Sequence, residues 1–155
     1  MHASDLAEPF PVVGLDDDAL EATRMLAEQG LPGLVVVDDQ GHPLVVLPGS
    51  QVLRFALPDY VEEDPNLARL YGERDADQLC RPLSGKTVRE LMPGQQYLPK
   101  RERDRPVISA DATVMEVANA MSRQHSPVVA VIDDDGEVLG VITVHRLLGA
   151  TLPRS

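Results

Sequence analysis

The stretch VAVIDDDGEVLGVITVHRLL, residues 129–148, places three aspartates and a glycine between two β-branched runs. A calcium loop of the EF-hand type needs acidic ligands at its first and twelfth positions and glycine at its sixth. With Gly136 as the sixth residue, those two positions are Val131 and Ile142, so the calcium interpretation fails. Asp-Gly between apolar runs is instead typical of a hairpin turn, because glycine readily adopts a positive φ. The stretch therefore predicts strands at 128–132 and 138–143, with a helix after them.

The same pattern occurs 95 positions earlier in the chain. Residues 16–53 align with residues 111–148 without a gap, and the acidic turn, its glycine and the proline before the first strand stay in register. Each copy predicts a helix, which begins after Asp18 or Thr113, then two strands and a short closing helix. A short segment precedes each copy: residues 4–9, the first leader, and residues 88–93, the second leader. The sequence therefore indicates two copies of one unit.

Composition limits the classes of protein that this chain can represent. Of its 155 residues 43% are hydrophobic, which is enough for a core, yet the apolar runs are too short to cross a bilayer. A net charge of −11 repels a phosphate backbone, so we expect no nucleic-acid partner. The N-terminus lacks the features of a secretion signal, and the single cysteine, Cys80, has no partner for an internal disulfide. We expect a cytoplasmic protein without membrane insertion, in which Cys80 is a small packing residue.

Recognisable motifs for catalysis or metal binding are missing from the sequence. The four histidines and Cys80 show no zinc-ligand spacing, and no glycine-rich phosphate loop occurs. The acidic clusters at 16–18 and 62–64 are interpreted as a helix start and a solvated linker, with an acidic catalytic site as the weaker alternative. The basic segment KRERDR, residues 100–105, is a solvated connector or else a contact for phosphate or a partner. We predict no catalytic residues, no metal site and no enzymatic activity.

The order of these elements resembles a tandem pair of cystathionine-β-synthase (CBS) domains. The best-matching pieces are RELM at 89–92, SPVV at 126–129, DDDG at 133–136 and GVIT at 140–143. The resemblance implies an α/β fold of the α+β type, in which two pseudo-twofold-related domains each pack a small, mostly three-stranded sheet on two helices. We expect the first domain at residues 1–57, a partly helical linker at 58–85 and the second domain at 86–152.

The resemblance also implies a regulatory ligand, AMP, ADP, ATP or S-adenosylmethionine, in a cleft between the two repeats. Thr143 matches the hydroxyl of the family pattern, but Arg146 stands where an aspartate is expected to bind the ribose, and a guanidinium has no acceptor. Its planar fork of donors can instead bind a phosphate. His125 occupies a position that contacts phosphate in some CBS domains, and the strand backbone around Val128 commonly faces the adenine. The predicted ligand-binding residues are His125, Pro127, Val128, Thr143 and Arg146.

Each of these residues also has a purely structural interpretation. Arg146 can be a solvent-facing helix residue, His125 a capping or surface residue and Thr143 a helix cap. In the first copy Pro48 and Gln51 occupy the positions of Thr143 and Arg146, so both the hydroxyl and the acid are missing there. The second copy is therefore the better candidate for a ligand site.

These observations predict a non-enzymatic regulatory module without a cofactor. The family resemblance implies that such pairs frequently form homodimers, and a sensor must transmit ligand binding to a partner, here an unidentified enzyme or transporter. The alternative is a scaffold for dimerisation or protein interaction that has lost nucleotide binding, which the residues Pro48, Gln51 and Arg146 favour.

Overall fold

The computed structural model describes residues 1–57, 64, 66, 69, 78–92 and 105–153 of the chain. Each repeat forms a three-stranded sheet, with strand order β1-β2-β3 in the first repeat and β4-β5-β6 in the second. In both sheets the first two strands are parallel and the last two antiparallel. The predicted α/β fold of two related domains is confirmed. The elements are α1 (Ala3–Leu6), β1 (Val12–Gly14), α2 (Ala19–Glu28), β2 (Gly33–Val37), β3 (Pro43–Pro48), α3 (Gly49–Ala56), two 3₁₀ helices (Arg81–Leu83 and Val88–Leu91), β4 (Val107–Ser109), α4 (Val114–Gln124), β5 (Val128–Ile132), β6 (Val138–Thr143) and α5 (Val144–Thr151).

The acidic turn of the second repeat is a hairpin turn, as the sequence predicts. Gly136 has a φ of +83°, and the Asp133 carboxylate accepts backbone hydrogen bonds from Asp135 at 2.9 Å and Glu137 at 3.0 Å. An aspartate side chain that bonds to the backbone two residues ahead stabilises such a turn. Asp133 therefore stabilises the turn that joins β5 and β6, and the segment has a structural role.

The corresponding turn of the first repeat contacts the second. Asp38 accepts from the backbone N–H groups of Gln40 and His42, at 2.9 and 3.0 Å. Burial raises the pKa of Asp38, but these hydrogen bonds and the charges of His42 and Arg105 outweigh it, so the pKa lies below its ordinary value. A Cβ added at Gly136 would lie 3.2 Å from Nε2 of His42, so the two turns meet.

Capping residues set the helix starts where the sequence places them. Asp18 accepts from the backbone N–H of Leu20, and Thr113 accepts from that of Glu116 at 3.2 Å. The Glu116 carboxylate in turn accepts from the Thr113 N–H at 3.0 Å, which completes a capping box. Both helices therefore begin after the predicted residue.

Each leader docks on the other repeat. The N–H groups of Ala3, which directly precedes the first leader, and of Ser4 donate to the carbonyls of Ala112 and Ala110, at 2.8 and 2.9 Å. Leu6 is 2% exposed and belongs to the core of the second repeat. The limits of the two domains along the chain stay a prediction, but each packing unit combines segments from both repeats.

The second leader repeats this geometry on the first repeat. The N–H groups of Val88 and Arg89 donate to the carbonyls of Asp17 and Leu15, at 2.9 and 2.8 Å. Leu91 is fully buried in the core of the first repeat. The matched hydrogen bonds pair residue 3 with residue 88 and Leu6 with Leu91, so the leader exchange follows the pseudo-twofold symmetry.

The two sheets pack against each other through a third apolar cluster. It contains buried residues of β2, β5 and β6, with Phe10 from the segment after the first leader packed against them. All five residues of β2 and the first four of β5 are buried, which explains the uninterrupted apolar character of these strands. The cluster members are Val35, Val37, Val128, Ala130 and Val141, with Phe10, Val46 and Val107 partly buried beside them.

The prediction that Cys80 is a packing residue is wrong. Cys80 is exposed, in a turn before the short 3₁₀ helix Arg81–Leu83, and Leu83 is the residue of this segment that enters the core. Most of the predicted linker at 58–85 and of the basic segment at 100–105 lies outside the described residues. Among the described residues, no helix is both long enough and apolar enough to cross a membrane.

Candidate functional site

Backbone contacts bring four of the five predicted site residues to one end of the second sheet. Val128 begins β5 and pairs with Thr143, the last residue of β6. The N–H of Val144 donates to the carbonyl of Pro127 at 3.1 Å. Thr143 is the N-cap of α5, and its hydroxyl accepts from the N–H of Arg146 at 3.1 Å. Backbone hydrogen bonds therefore place the beginning of β5 beside the first turn of α5.

His125 lies at the C-cap of α4, two residues before Pro127. Its φ of 51° is in the left-handed region, and no other non-glycine residue among those described has a positive φ. Its N–H donates to the carbonyl of Ser122 at 3.3 Å, which ends the helix. His125 and Pro127 line a groove of about 580 Å³ between α4 and α5, whose lining includes neither Thr143 nor Arg146. The predicted residues therefore divide between two surfaces.

Val128 contributes its backbone and not its side chain to this region. The side chain is completely buried in the cluster between the sheets. The hydroxyl of Ser126 lies 3.4 Å from the Val128 N–H and donates to the Val128 carbonyl. A ligand at this strand end would meet the backbone of Val128 together with the hydroxyl of Ser126, a residue that sequence reasoning did not single out.

Arg146 extends from α5 towards the first leader. Its Nε lies 3.5 Å from the carbonyl oxygen of Leu6 and 3.6 Å from Oε1 of Glu8. The side chains of Arg146 and Glu8 are 43% and 52% exposed, so solvent screens this ion pair. Among the described residues, none accepts a hydrogen bond from the two terminal amino groups of Arg146. Half of the guanidinium fork therefore faces outward with its donors available.

Gln51 holds the corresponding place in the first repeat. Its Nε2 donates to the carbonyl of Leu91 at 3.4 Å, as the Nε of Arg146 does to that of Leu6. Gln51 is only 9% exposed, whereas Arg146 is exposed. Both repeats therefore use this helix position to hold the other repeat's leader, and only the second presents a charge to solvent.

Glu8 reaches Arg146 because its backbone is fixed on the edge of β6. Its N–H donates to the carbonyl of Val141 at 2.8 Å, and its carbonyl accepts from the N–H of Val141 at 2.9 Å. A Cβ on Gly140 would lie 2.7 Å from the Glu8 carbonyl oxygen, so the glycine allows this close approach. Sequence reasoning missed Glu8, because its proximity to Arg146 depends on the leader exchange.

A second cavity, of about 310 Å³, lies between β4 and α4. Its lining includes the polar side chains of Ser109, Asp111, Glu116, Asn119 and Arg123, none of which was predicted as a site residue. Glu116 is already engaged by the cap of α4. Within the described ranges, no three or more His, Cys, Asp or Glu side chains form a group that could hold a metal ion.

Comparison with known proteins agrees with this architecture. The sequence profile of the CBS domain matches residues 3–46 and 101–152. A CBS domain-containing protein of unknown function from Kribbella flavida DSM 17836 is 50% identical, with a TM-score of 0.81 and 99% of each chain covered. No curated protein matches the sequence.

Less similar structures share the fold. CBSX2 from Arabidopsis thaliana is 20% identical, with a TM-score of 0.69 over 96% of this chain and 92% of its own. A structure of CBSX2 in complex with AMP is 21% identical, with a TM-score of 0.63 over 96% of this chain and 94% of its own. Since the profile matches both repeats and a half-identical structure covers almost the whole chain, this protein belongs to the CBS domain family, as a tandem CBS pair.

Proposed function

We propose that this CBS pair is a non-enzymatic, cytoplasmic regulatory module that binds an adenosyl ligand carrying phosphate beside Thr143 and Arg146. The observation that carries the proposal is the outward half of the Arg146 guanidinium, for which no described residue provides an acceptor. The family membership and the existence of a CBSX2 complex with AMP support an adenine nucleotide as the ligand. AMP, ADP and ATP are the candidates that carry phosphate. S-adenosylmethionine carries none, and its carboxylate would take the place of the phosphate at Arg146.

The chemistry of Arg146 favours phosphate over ribose as its target. A guanidinium has five N–H donors and no acceptor, so it cannot replace a carboxylate that accepts from ribose hydroxyls. Its two terminal amino groups match two phosphate oxygens, and such charge-assisted pairs are stronger than neutral hydrogen bonds. A ligand that extends from Arg146 past Thr143 would meet the backbone of Val128, which pairs with Thr143.

Affinity for phosphate provides the direct test. Arg146→Ala should weaken AMP binding about 10-fold or more, since hydrogen bonds to charged groups contribute roughly 1.5–3 kcal/mol. Adenosine binding should change less than about twofold, because adenosine carries no phosphate. Isothermal titration calorimetry of both ligands gives the two dissociation constants.

Arg24→Ala is the matched control, because Arg24 is also an exposed, ion-paired arginine and lies on α2 of the first repeat. This variant should bind both ligands as the wild type does. Equal losses of AMP and adenosine affinity in Arg146→Ala would show that Arg146 does not grip phosphate. Lack of AMP, ADP, ATP and S-adenosylmethionine binding to the wild type would exclude the sensor function for these ligands.

We also propose that the module forms a homodimer, through which ligand binding reaches an effector protein. Large apolar side chains on α5 and beside it are exposed to between 40% and 64%, next to the groove between α4 and α5. A second copy that covers this face would bury them, which is the usual origin of association in water. The exposed residues are Val144, Leu148 and Leu152.

A ligand-free scaffold is the second candidate function. The observation in its favour is that Gln51 and the Nε of Arg146 donate to leader carbonyls in the same way, so this helix position has a structural role in both repeats. A scaffold would form the dimer but show no thermal stabilisation by any adenosyl compound. A sensor at a ligand concentration about 100 times its dissociation constant should gain roughly 2.7 kcal/mol.

A further inference from the structure

Glu8 places a second charge next to the proposed phosphate-binding group. Its Oε1 lies 3.6 Å from Nε of Arg146, beyond hydrogen-bonding distance but within the range of an ion pair. The contact uses the edge of the guanidinium that carries Nε, whereas the terminal amino groups have no acceptor among the described residues. A phosphate can therefore approach Arg146 without displacing Glu8, and both charges act on it at once.

The backbone around Glu8 keeps its carboxylate in this position. Two hydrogen bonds of 2.8 and 2.9 Å join Glu8 to Val141 on β6, and Gly140 provides the space for the Glu8 carbonyl. Leu6, two residues earlier, is buried in the core of the second repeat. Glu8 is therefore anchored by its own backbone hydrogen bonds and by Leu6 before it, and is not a residue of a free chain end.

We propose that Glu8 is a specificity-determining residue, which limits the negative charge of the ligand accepted beside Arg146 and selects a nucleoside monophosphate over the di- and triphosphate. This inference rests on the proposed function. The pair Arg146–Glu8 has no net charge, so the attraction of a phosphate to the guanidinium is partly cancelled by repulsion from the carboxylate. Coulomb energy is proportional to the product of charges, so the repulsion increases with each phosphate of the ligand.

The first repeat has neither member of this charged pair. By the leader correspondence that pairs Leu6 with Leu91, Glu8 corresponds to Pro93 in sequence, and Arg146 corresponds to Gln51. Docking of a leader therefore does not require an ion pair at this point. The Arg146–Glu8 pair is an addition of the second repeat, where the proposed ligand site lies.

A series of ligands with increasing charge tests the inference. The dissociation constants of adenosine, AMP, ADP and ATP are measured by calorimetry at low ionic strength without Mg²⁺, for the wild type and for Glu8→Gln. Circular dichroism melting checks that both proteins are folded. Glu8→Gln should tighten AMP about 2-fold, ADP about 4-fold and ATP about 10-fold, because each phosphate adds negative charge, and should leave adenosine within about twofold.

Glu21→Gln is the matched control, because Glu21 is also an exposed glutamate paired with an arginine and the substitution changes the net charge equally. It should leave all four affinities within about twofold, because Glu21 lies on α2 of the first repeat and pairs with Arg24 instead of Arg146. An equal gain for all four ligands, or the same gain in both variants, would overturn the inference and leave the proposed function intact. A loss of adenosine affinity in Glu8→Gln would also overturn it and assign Glu8 as an acceptor for the ribose. Failure of the wild type and Glu8→Gln to bind any of the four would instead refute binding of these nucleotides, and the inference with it.

Discussion

The first turns of the two closing helices, α3 and α5, occupy equivalent places and have different chemistry. In each repeat the side chain at the same helix position donates to the last carbonyl of the other repeat's leader helix, Gln51 to Leu91 and Arg146 to Leu6. Gln51 is neutral and buried, whereas Arg146 is charged and exposed. A donor at this position therefore belongs to the fold itself, and any function of Arg146 must rest on what Gln51 lacks.

Capping shows the same contrast. Pro48, the N-cap of α3, makes no side-chain hydrogen bond, whereas Thr143 caps α5 by accepting from Arg146. At the sheet edge, Gly140 accommodates the leader backbone in the second repeat, and Val45 stands at the equivalent position of the first. Leader docking in the first repeat thus relies on apolar contacts, and the second repeat has exposed polar groups in addition.

Removal of the buried leucine of either leader should have the largest effect, because leader docking is what the repeats share. Leu6 and Leu91 are 2% and 0% exposed. Leu6→Ala and Leu91→Ala should each lower the free energy of unfolding by about 2–5 kcal/mol, since burial is lost and a cavity remains. Urea unfolding measures both changes.

Leu139→Ala is the control, because Leu139 is 54% exposed and its truncation should change stability by less than about 0.5 kcal/mol. If only one leader substitution destabilised the protein, the two docking sites would not be energetically equivalent. The two repeats would then already differ in the docking of their leaders, and not only in their closing helices.

A side chain at Gly140 should have a smaller effect, confined to the second repeat. The Cβ of alanine would lie 2.7 Å from the Glu8 carbonyl oxygen, so the bridge between Glu8 and Val141 must shift or break. Gly140→Ala should cost about 1–3 kcal/mol, the usual range for overpacking.

Gly149→Ala is the matched control, because nothing lies within 4 Å of its added Cβ and the residue is inside α5. That substitution should stabilise the protein by up to about 1 kcal/mol through helix propensity. Equal thermal melting temperatures for the two variants would show that the leader backbone moves away from β6 at little cost.

The parts of the fold that the sequence predicts are those that local interactions determine. The turn at Asp133, the cap at Asp18 and the short closing helix α3 depend on residues within a few positions of each other, and all three predictions are confirmed. Leader exchange is a contact between segments far apart in the chain, and helix or strand periodicity carries no signal for it. The prediction for Cys80 failed for a related reason. Residue type alone does not reveal which member of a segment enters the core, and Cys80 is exposed.

The candidate site shows the same limit. The Thr143 hydroxyl at the start of α5 followed from its position at the end of a strand pattern. Glu8 is separated from Arg146 by almost the whole chain, so no motif spacing links them, although they form an ion pair. That His125 and Arg146 lie on different surfaces was also not predictable. His125 itself adopts the left-handed conformation that ends α4, and it lines the groove between α4 and α5.

The smallest effect on stability is expected from substitution of the two donors, Gln51 and Arg146. The measurement decides whether their contributions to the free energy of unfolding differ as their chemistry does. Gln51 is 9% exposed and hydrogen-bonds the Leu91 carbonyl, so Gln51→Ala should lower stability by about 1 kcal/mol. Arg146 is half-exposed and its ion pair is screened, so Arg146→Ala should change stability by less than about 0.5 kcal/mol. Parallel urea titrations of both variants make the comparison. A larger loss for Arg146→Ala than for Gln51→Ala would mean that Arg146 is retained for docking the first leader, and its exposed amino groups would then no longer argue for a ligand.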